Sequence, residues 1–388
     1  MSTSIQGYSI FGYGDMITDR YRIDPYIQAL KAAIKPGAVV LDIGTGTGFF
    51  AVLACQFGAR KVYAIEPDDA ISIAKQVAID NHCADKIEFI QALSTQIDLP
   101  EQVDVIISDL RGVIPLHQYH LAAITDARQR FLKPGGVQIP LQDTIWAALV
   151  CDPEYYHKKY LSPWADAPHG CILTANRQFV TNIWHRHRIE PAQLLVEPQV
   201  WTTLDYTTDL EPNVKATRTW TIDRSGTVHG IGMWFDALLA EGIGFSNAPD
   251  RPECIYGNAW MPLTEPVDLA PGDRVSVTLQ ANLIGEDYLW SWQTQVTAGA
   301  DPQHVKADFK QSTFFGEPRS PQSLQQQSDS YVPTINESGK VALTILNSMT
   351  AGKSLGDISQ ALTQQFPHRF ATVAKALSYA VGLTQKYS

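Results

Sequence analysis

Apolar positions along this 388-residue chain fall into distinct regimes. From residue 22 to 150, short apolar runs alternate with segments whose apolar residues recur every three or four positions. The runs Val39–Ile43, Val62–Ile65, Ile87–Ile90 and Val103–Ser108, with Thr144–Val150 later, predict strands, and Phe49–Phe57 and Ile71–Asn81 predict amphipathic helices. Such alternation predicts a parallel sheet with helices on both faces and ligands at the carboxyl ends of its strands. Phe131–Pro140, FLKPGGVQIP, predicts a helix stop, a turn and a short strand.

From residue 180 to 300 the pattern becomes a series of short β-like runs: Gln178–Trp184, Leu194–Tyr206, Ala216–Ile222, Gly230–Leu238, Arg274–Leu283 and Tyr288–Gln295. With the Pro-Gly-Asp turn inside Val267–Ser276, they predict an antiparallel sandwich or barrel. The polar, low-complexity stretch Pro318–Ser330 predicts a linker. Beyond it, Val341, Ile345 and Met349, then Leu355, Ile358, Leu362 and Phe366, then Phe370, Val373, Leu377 and Val381 repeat at helical spacing. Ser354 with Asp357 three residues on predicts an N-cap. The expected division is a sheet domain over 1–145, a β-domain over 146–316, a linker over 317–335 and a small helical bundle, of winged-helix or helix-turn-helix type, over 336–388.

Composition narrows the function classes. A formal net charge of −10, with no basic run, argues against nucleic acid and anionic membrane as partners. The start, MSTSIQGYSIFGYGD, lacks the charged and apolar segments of a signal peptide, and no apolar run approaches the ~20 residues of a membrane span. Cys55, Cys83, Cys151, Cys171 and Cys254 are scattered, without metal-ligand spacing, and read as reduced cytoplasmic thiols. His185 and His187 share one strand face but have no third ligand nearby, so no metal is expected. Trp290 and Trp292 fit packing in the β-domain.

The chemistry-bearing segment is Val39–Phe50, VVLDIGTGTGFF. Gly44, Gly46 and Gly48 let the backbone approach a ligand closely, and the helix they open presents free N–H groups. Glu66 lies 18 residues after Gly48, at a second strand end, where a carboxylate accepts hydrogen bonds from ribose hydroxyls. The residues alone leave a dinucleotide, S-adenosylmethionine or a ligand-free turn open. The spacing Asp42-x-Gly44-x-Gly46-x-Gly48 resembles motif I of class I S-adenosylmethionine-dependent methyltransferases rather than G-x-G-x-x-G.

The order of motifs over the first 300 residues resembles the protein arginine methyltransferases. Asp15–Tyr26 is similar to the family's pre-sheet helices, which implies that Arg22 grips the methionine carboxylate of the cofactor. Glu66 matches the ribose-binding acid, whereas Ser94 and Thr95 replace the family's Val-Glu pair near the implied adenine site. Val103–Gly112 is similar to the strand and loop bearing the first substrate glutamate, LKPGG to the next turn, and Ile189–Thr208 and Glu241–Asp250 to β-barrel segments. An extension near Asp152–Gly170 stands where the family has a dimerisation arm, which implies a head-to-tail homodimer. The implied fold is α/β: a Rossmann-like methyltransferase sheet, an antiparallel β-barrel or sandwich, and a C-terminal helical bundle outside the resemblance.

Three departures shape the expected function. Asp109 stands at the first of the family's two acceptor glutamates and neutral Gln118 at the second; Cys254–Tyr256 replaces a Thr-His-Trp loop. Losing one carboxylate from a guanidinium clamp costs about 2–5 kcal/mol. The leading expectation is therefore a methyltransferase acting on a small-molecule or peptide natural-product-type acceptor. An arginine methyltransferase with a rearranged clamp is the first alternative, and an idle methyltransferase-like scaffold the second. Asp109 is expected as orienter or base, or else as a loop cap; Gln118 and Tyr256 are candidates for acceptor contacts, or else surface and packing residues. Tyr8 and Tyr13 belong to the segment that covers the cofactor in the family, and His117 and His120 are candidate bases.

Overall fold

The computed structural model describes residues 8–165, 168–301 and 303–387, so residues 166 and 167 of the extension near Asp152–Gly170 lie outside the described residues. The chain divides into two compact units, residues 1–318 and 319–388.

The first unit opens with two helices, α1 (Ile10–Thr18) and α2 (Arg20–Ala33), and then a five-stranded sheet. Its strands are β1 (Val39–Ile43), β2 (Lys61–Ile65), β3 (Ile87–Ile90), β4 (Val103–Ser108) and β5 (Leu132–Ile139), ordered β3-β2-β1-β4-β5, with every pair parallel. All five residues of β1 are buried, as a central strand covered on two faces requires. One face packs Tyr26, Ala29 and Leu30 of α2 and Ala51 and Ala54 of α3 (Phe49–Gln56). The other packs Ala123, Ala127 and Phe131 of the helix His120–Phe131 against Leu41, Ile43 and Ile106. A further helix, α4 (Ile71–Asp80), follows β2.

β6 (Gln142–Val150) leaves this sheet and begins the antiparallel part. With β7 (His185–His187), β8 (Gln199–Asp205), β9 (Val214–Thr221), β10 (Gly226–Ala240), β11 (Ile243–Ser246), β12 (Asn258–Leu269), β13 (Arg274–Ile284), β14 (Asp287–Thr297) and β15 (Val305–Ser312) it forms two sheets. Their orders are β7-β12-β10-β6-β8, with β11 on β10, and β15-β14-β13-β9. Strict alternation fixes the register of β13 and β14: Val275, Val277, Leu279 and Ala281 face inward, as do Tyr288, Trp290, Trp292 and Val296. These residues and the α2–α3 face of the parallel sheet belong to one continuous apolar interior.

Three local expectations differ from the structure. The helix His120–Phe131 stops where FLKPGGVQIP predicts, but strand begins directly at Leu132 with no intervening turn; β5 is an edge strand, where a proline's missing N–H costs least. Gln178–Trp184 holds a helix, Arg177–Val180, and a turn. There the Thr181 hydroxyl donates to the Arg177 carbonyl at 2.8 Å and the Asn182 amide to the Gln178 carbonyl at 2.6 Å, local bonds that compete with a strand ladder. In Leu194–Tyr206 only the second half is strand.

The second unit has a short helix, Pro321–Gln325, in the expected linker and three longer ones, Glu337–Thr350, Leu355–Gln365 and Val373–Tyr387. Ser354 and Asp357 form the expected capping box. The core holds Val341, Ile345, Ile358, Leu362 and Phe370; in the last helix Ala376 and Ala380 face inward instead of Val373 and Leu377.

Candidate active site

Four parallel-strand ends converge on one edge of the sheet. β1 runs into a turn in which the Gly44 and Thr45 amides donate to the Ile65 carbonyl at 2.8 and 3.0 Å. Gly46 adopts φ +54°, and a Cβ there would meet the Tyr13 ring at 2.5 Å; Gly48, at φ +85°, would bring one to 3.0 Å from Ala74 of α4. Glu66, just past β2, is buried, accepting from the Gly46 amide at 2.9 Å and the Asp68 amide at 3.0 Å. Burial pushes its carboxyl up, and those two amides oppose the shift. Asp42 lies fully inside; burial raises its pKa to about 7 although the Thr45 hydroxyl donates to it at 2.6 Å. Ser94 is buried in the turn after β3, its carbonyl accepting from Arg130 Nη2 at 2.9 Å, and Thr95 is exposed. Tyr13 of α1 lies against Gly46, its ring edge-on to Tyr8 at 6.0 Å; Tyr8 is 59% exposed.

Asp109 follows β4 and is the centre of a dense polar cluster. Its Oδ2 is ion-paired with Arg22 Nη1. Its Oδ1 accepts from the Tyr256 hydroxyl at 2.6 Å and from Arg111 Nη1 at 3.2 Å. Burial alone would raise the Asp109 pKa; the guanidiniums of Arg22 and Arg111 overcome it and hold the carboxyl below its ordinary value. The second arm of Arg22 donates to the Met16 carbonyl at 2.6 Å, and its Nε is buried without a hydrogen-bond partner. Asp19, at the start of α2, accepts from the Ile255 amide at 2.8 Å and so ties α2 to the loop bearing Tyr256.

The structure therefore brings together Arg22, Asp109 and Tyr256, and separately Asp42, the glycine turn, Glu66 and Tyr13. Arg22 meets Asp109, a pairing the sequence did not suggest. Gln118 stands at φ +40° with its side chain exposed. The His117 ring folds over Gly112, where a Cβ would meet its Cγ at 2.8 Å, and burial lowers its pKa. Among the described residues neither Gln118 nor His117 bonds to Asp109. His120 is buried, lowered by burial to about 3, and lies 3.0 Å from the Tyr206 hydroxyl.

Sequence reasoning missed Arg111 and Asp143. Arg111 Nε and Nη2 donate to the two oxygens of Asp143 in β6 at 2.7 and 2.8 Å, both side chains having no exposed surface. The Tyr206 hydroxyl also donates to Asp143. The available signal was an arginine two residues after Asp109 in an otherwise apolar strand-end loop.

Comparison with known proteins places this geometry. Residues 11–139 match the model of the ribosomal protein L11 methyltransferase (PrmA) family. A probable protein arginine N-methyltransferase 6 of Arabidopsis thaliana is 30% identical over 306 residues, 76% of this chain and 69% of the relative. The structure of Arabidopsis thaliana protein arginine methyltransferase 10 matches at TM-score 0.69 and 24% identity, over 78% of this chain and 97% of that one. The Trypanosoma brucei PRMT1 enzyme–prozyme complex with AdoHcy matches at 0.69 and 22%, over 77% and 97%. The relatives overturn the expected small-molecule acceptor and favour the first alternative. The expectation judged the cleft from the two loop positions Asp109 and Gln118 alone, and left out the guanidiniums of Arg22 and Arg111 that the structure pairs with Asp109. A methyl-donor turn, an acidic residue at the end of β4 and an arginine-methyltransferase relative spanning both sheet systems lead to one conclusion: the chain belongs to the protein arginine N-methyltransferase family of S-adenosylmethionine-dependent methyltransferases.

Proposed function

We propose that this enzyme transfers a methyl group to an arginine guanidinium of a protein or peptide. The observation that carries the reading is the Asp109 carboxylate, kept ionised beside the methyl-donor turn. Leu110, its neighbour, packs so closely on Gly44 that a Cβ there would meet its Cδ2 at 2.4 Å.

The residues fit the donor. Arg22 Nε is a buried cationic donor without a partner, matched to a carboxylate. Each Glu66 oxygen receives one amide and keeps acceptor capacity for ribose hydroxyls. Gly46 leaves room that any side chain would fill. Ser94 and Thr95 flank the adenine end. S-adenosylmethionine, when bound, supplies an electrophilic methyl group. The chain then has to align the acceptor and exclude water. A carboxylate held below its ordinary pKa is a weak base at neutral pH, so Asp109 orients the guanidinium electrostatically, with the Tyr256 hydroxyl bracing Oδ1. Tyr13 covers the turn, with Tyr8 against its ring edge.

The extension after β6 supports a homodimer. Its Tyr156 is buried and donates to the Leu263 carbonyl at 3.0 Å, a firm base for an arm. No helix among the described residues is long and apolar enough to cross a membrane, and the reading is of a cytoplasmic enzyme.

The test is methyl transfer from labelled S-adenosylmethionine to paired peptides differing only by arginine or lysine. Label on arginine, lost in Asp109→Ala, is expected. Label on the lysine peptide alone, or none from protein that binds the donor, would refute the reading.

A further inference from the structure

We propose that Arg111 is a specificity-determining residue: a resident guanidinium that holds one side of Asp109 and makes an incoming arginine compete for the same carboxylate. This deepens the arginine-methyltransferase reading and rests on it.

Arg111 is 2% exposed and cannot be treated as a loose surface group. Two of its nitrogens form a fork on Asp143, which fixes the plane of the guanidinium. The third, Nη1, then projects to Asp109 Oδ1 at 3.2 Å and to the Tyr26 hydroxyl. Aromatic walls enclose it, with the guanidinium carbon 5.6 Å from the Phe235 ring centre and 5.9 Å from those of Tyr26 and Phe245. To swing away, Arg111 would have to abandon a buried carboxylate. Arg22 is held differently. Among the described residues its side-chain hydrogen-bond partners besides Asp109 reduce to the Met16 carbonyl, and its Nε has none. Arg22 is thus the arm that yields Oδ2, and Arg111 the arm that stays on Oδ1.

Two consequences follow for the acceptor. An arriving guanidinium meets a carboxylate already half neutralised, within a cluster whose two arginines and two aspartates sum to zero charge. Capture of the arginine side chain by itself is weak, so the substrates are arginines in longer segments that bind through flanking residues.

The test compares wild type with Arg111→Met/Asp143→Asn, which removes the pair without leaving one buried charge alone. The readouts are KM and kcat on a short arginine peptide and the dissociation constant for S-adenosylmethionine. The inference expects KM to fall about tenfold, the scale of one charge-assisted hydrogen bond, with donor affinity within about twofold. Unchanged KM in two active proteins overturns the inference and leaves the arginine reading standing. Two proteins that bind the donor but methylate no arginine overturn both. If the double variant does not fold, Arg111→Lys decides: it keeps a charge on Asp143 but has no second arm for Asp109, so its KM must also fall.

Discussion

Replacing Asp109 by asparagine keeps the shape of the side chain and removes its charge. The structure sets the size of the effect. The Asp109 and Arg22 side chains are 10% and 3% exposed, so solvent screens their pairing little. Among the described residues the Arg22 side chain loses its one bonded carboxylate and keeps the Met16 carbonyl. Arg111 loses a contact at 3.2 Å but retains its fork on Asp143, so the penalty is not doubled. Breaking one buried pair costs about 3–5 kcal/mol. Urea unfolding followed by tryptophan fluorescence reads this cleanly, because all nine tryptophans lie between Trp146 and Trp292, in the first unit. The pH dependence adds a second check. The folded pKa of Asp109 is depressed, so its stabilisation is present above the unfolded value of about 3.9 and is lost as pH falls through the lower folded value. The gap between wild type and Asp109→Asn should be constant from about pH 5 to 8 and narrow below about pH 4. A gap under about 1 kcal/mol at neutral pH, of the size seen for exposed pairs, would refute the buried ion pair.

Other expectations are quickly stated. Glu66→Ala should weaken S-adenosylmethionine binding by about 1.5–3 kcal/mol, read by calorimetry; an unchanged constant would remove Glu66 from the ribose site. The raised pKa of Asp42, about 7, means its charging opposes folding progressively as pH rises from about 4 to 7. Asp42→Asn should therefore flatten stability across that window in denaturant titrations, and a slope as steep as wild type's would contradict it. Chain ended at residue 318 should remain folded and bind the donor, and insoluble protein would count against independent units.

The glycine turn and its acidic neighbour were legible because their signals are local. A glycine turn, a strand and an acid 18 residues on are written contiguously, and the backbone geometry of Gly46 leaves little alternative. The acceptor half was not legible because its charges come from distant places. Arg111 follows β4, Asp143 lies in β6 and Tyr206 after β8, while Arg22, expected at the donor, reaches across from α2 to Asp109. No spacing rule joins them, and pairing decides whether a carboxylate is free or spent. Asp109 falls just past the end of β4 as expected, but its partners and hence its charge state were invisible. The strand expected at Gln178–Trp184 failed for a different reason: apolar content matched a strand, while Thr181 and Asn182 supplied competing bonds to nearby carbonyls.

The parallel sheet and the antiparallel sheets share a single apolar interior, whereas the C-terminal helices keep their own. In a scanning calorimeter the first 318 residues should thus absorb heat in one cooperative endotherm, not two.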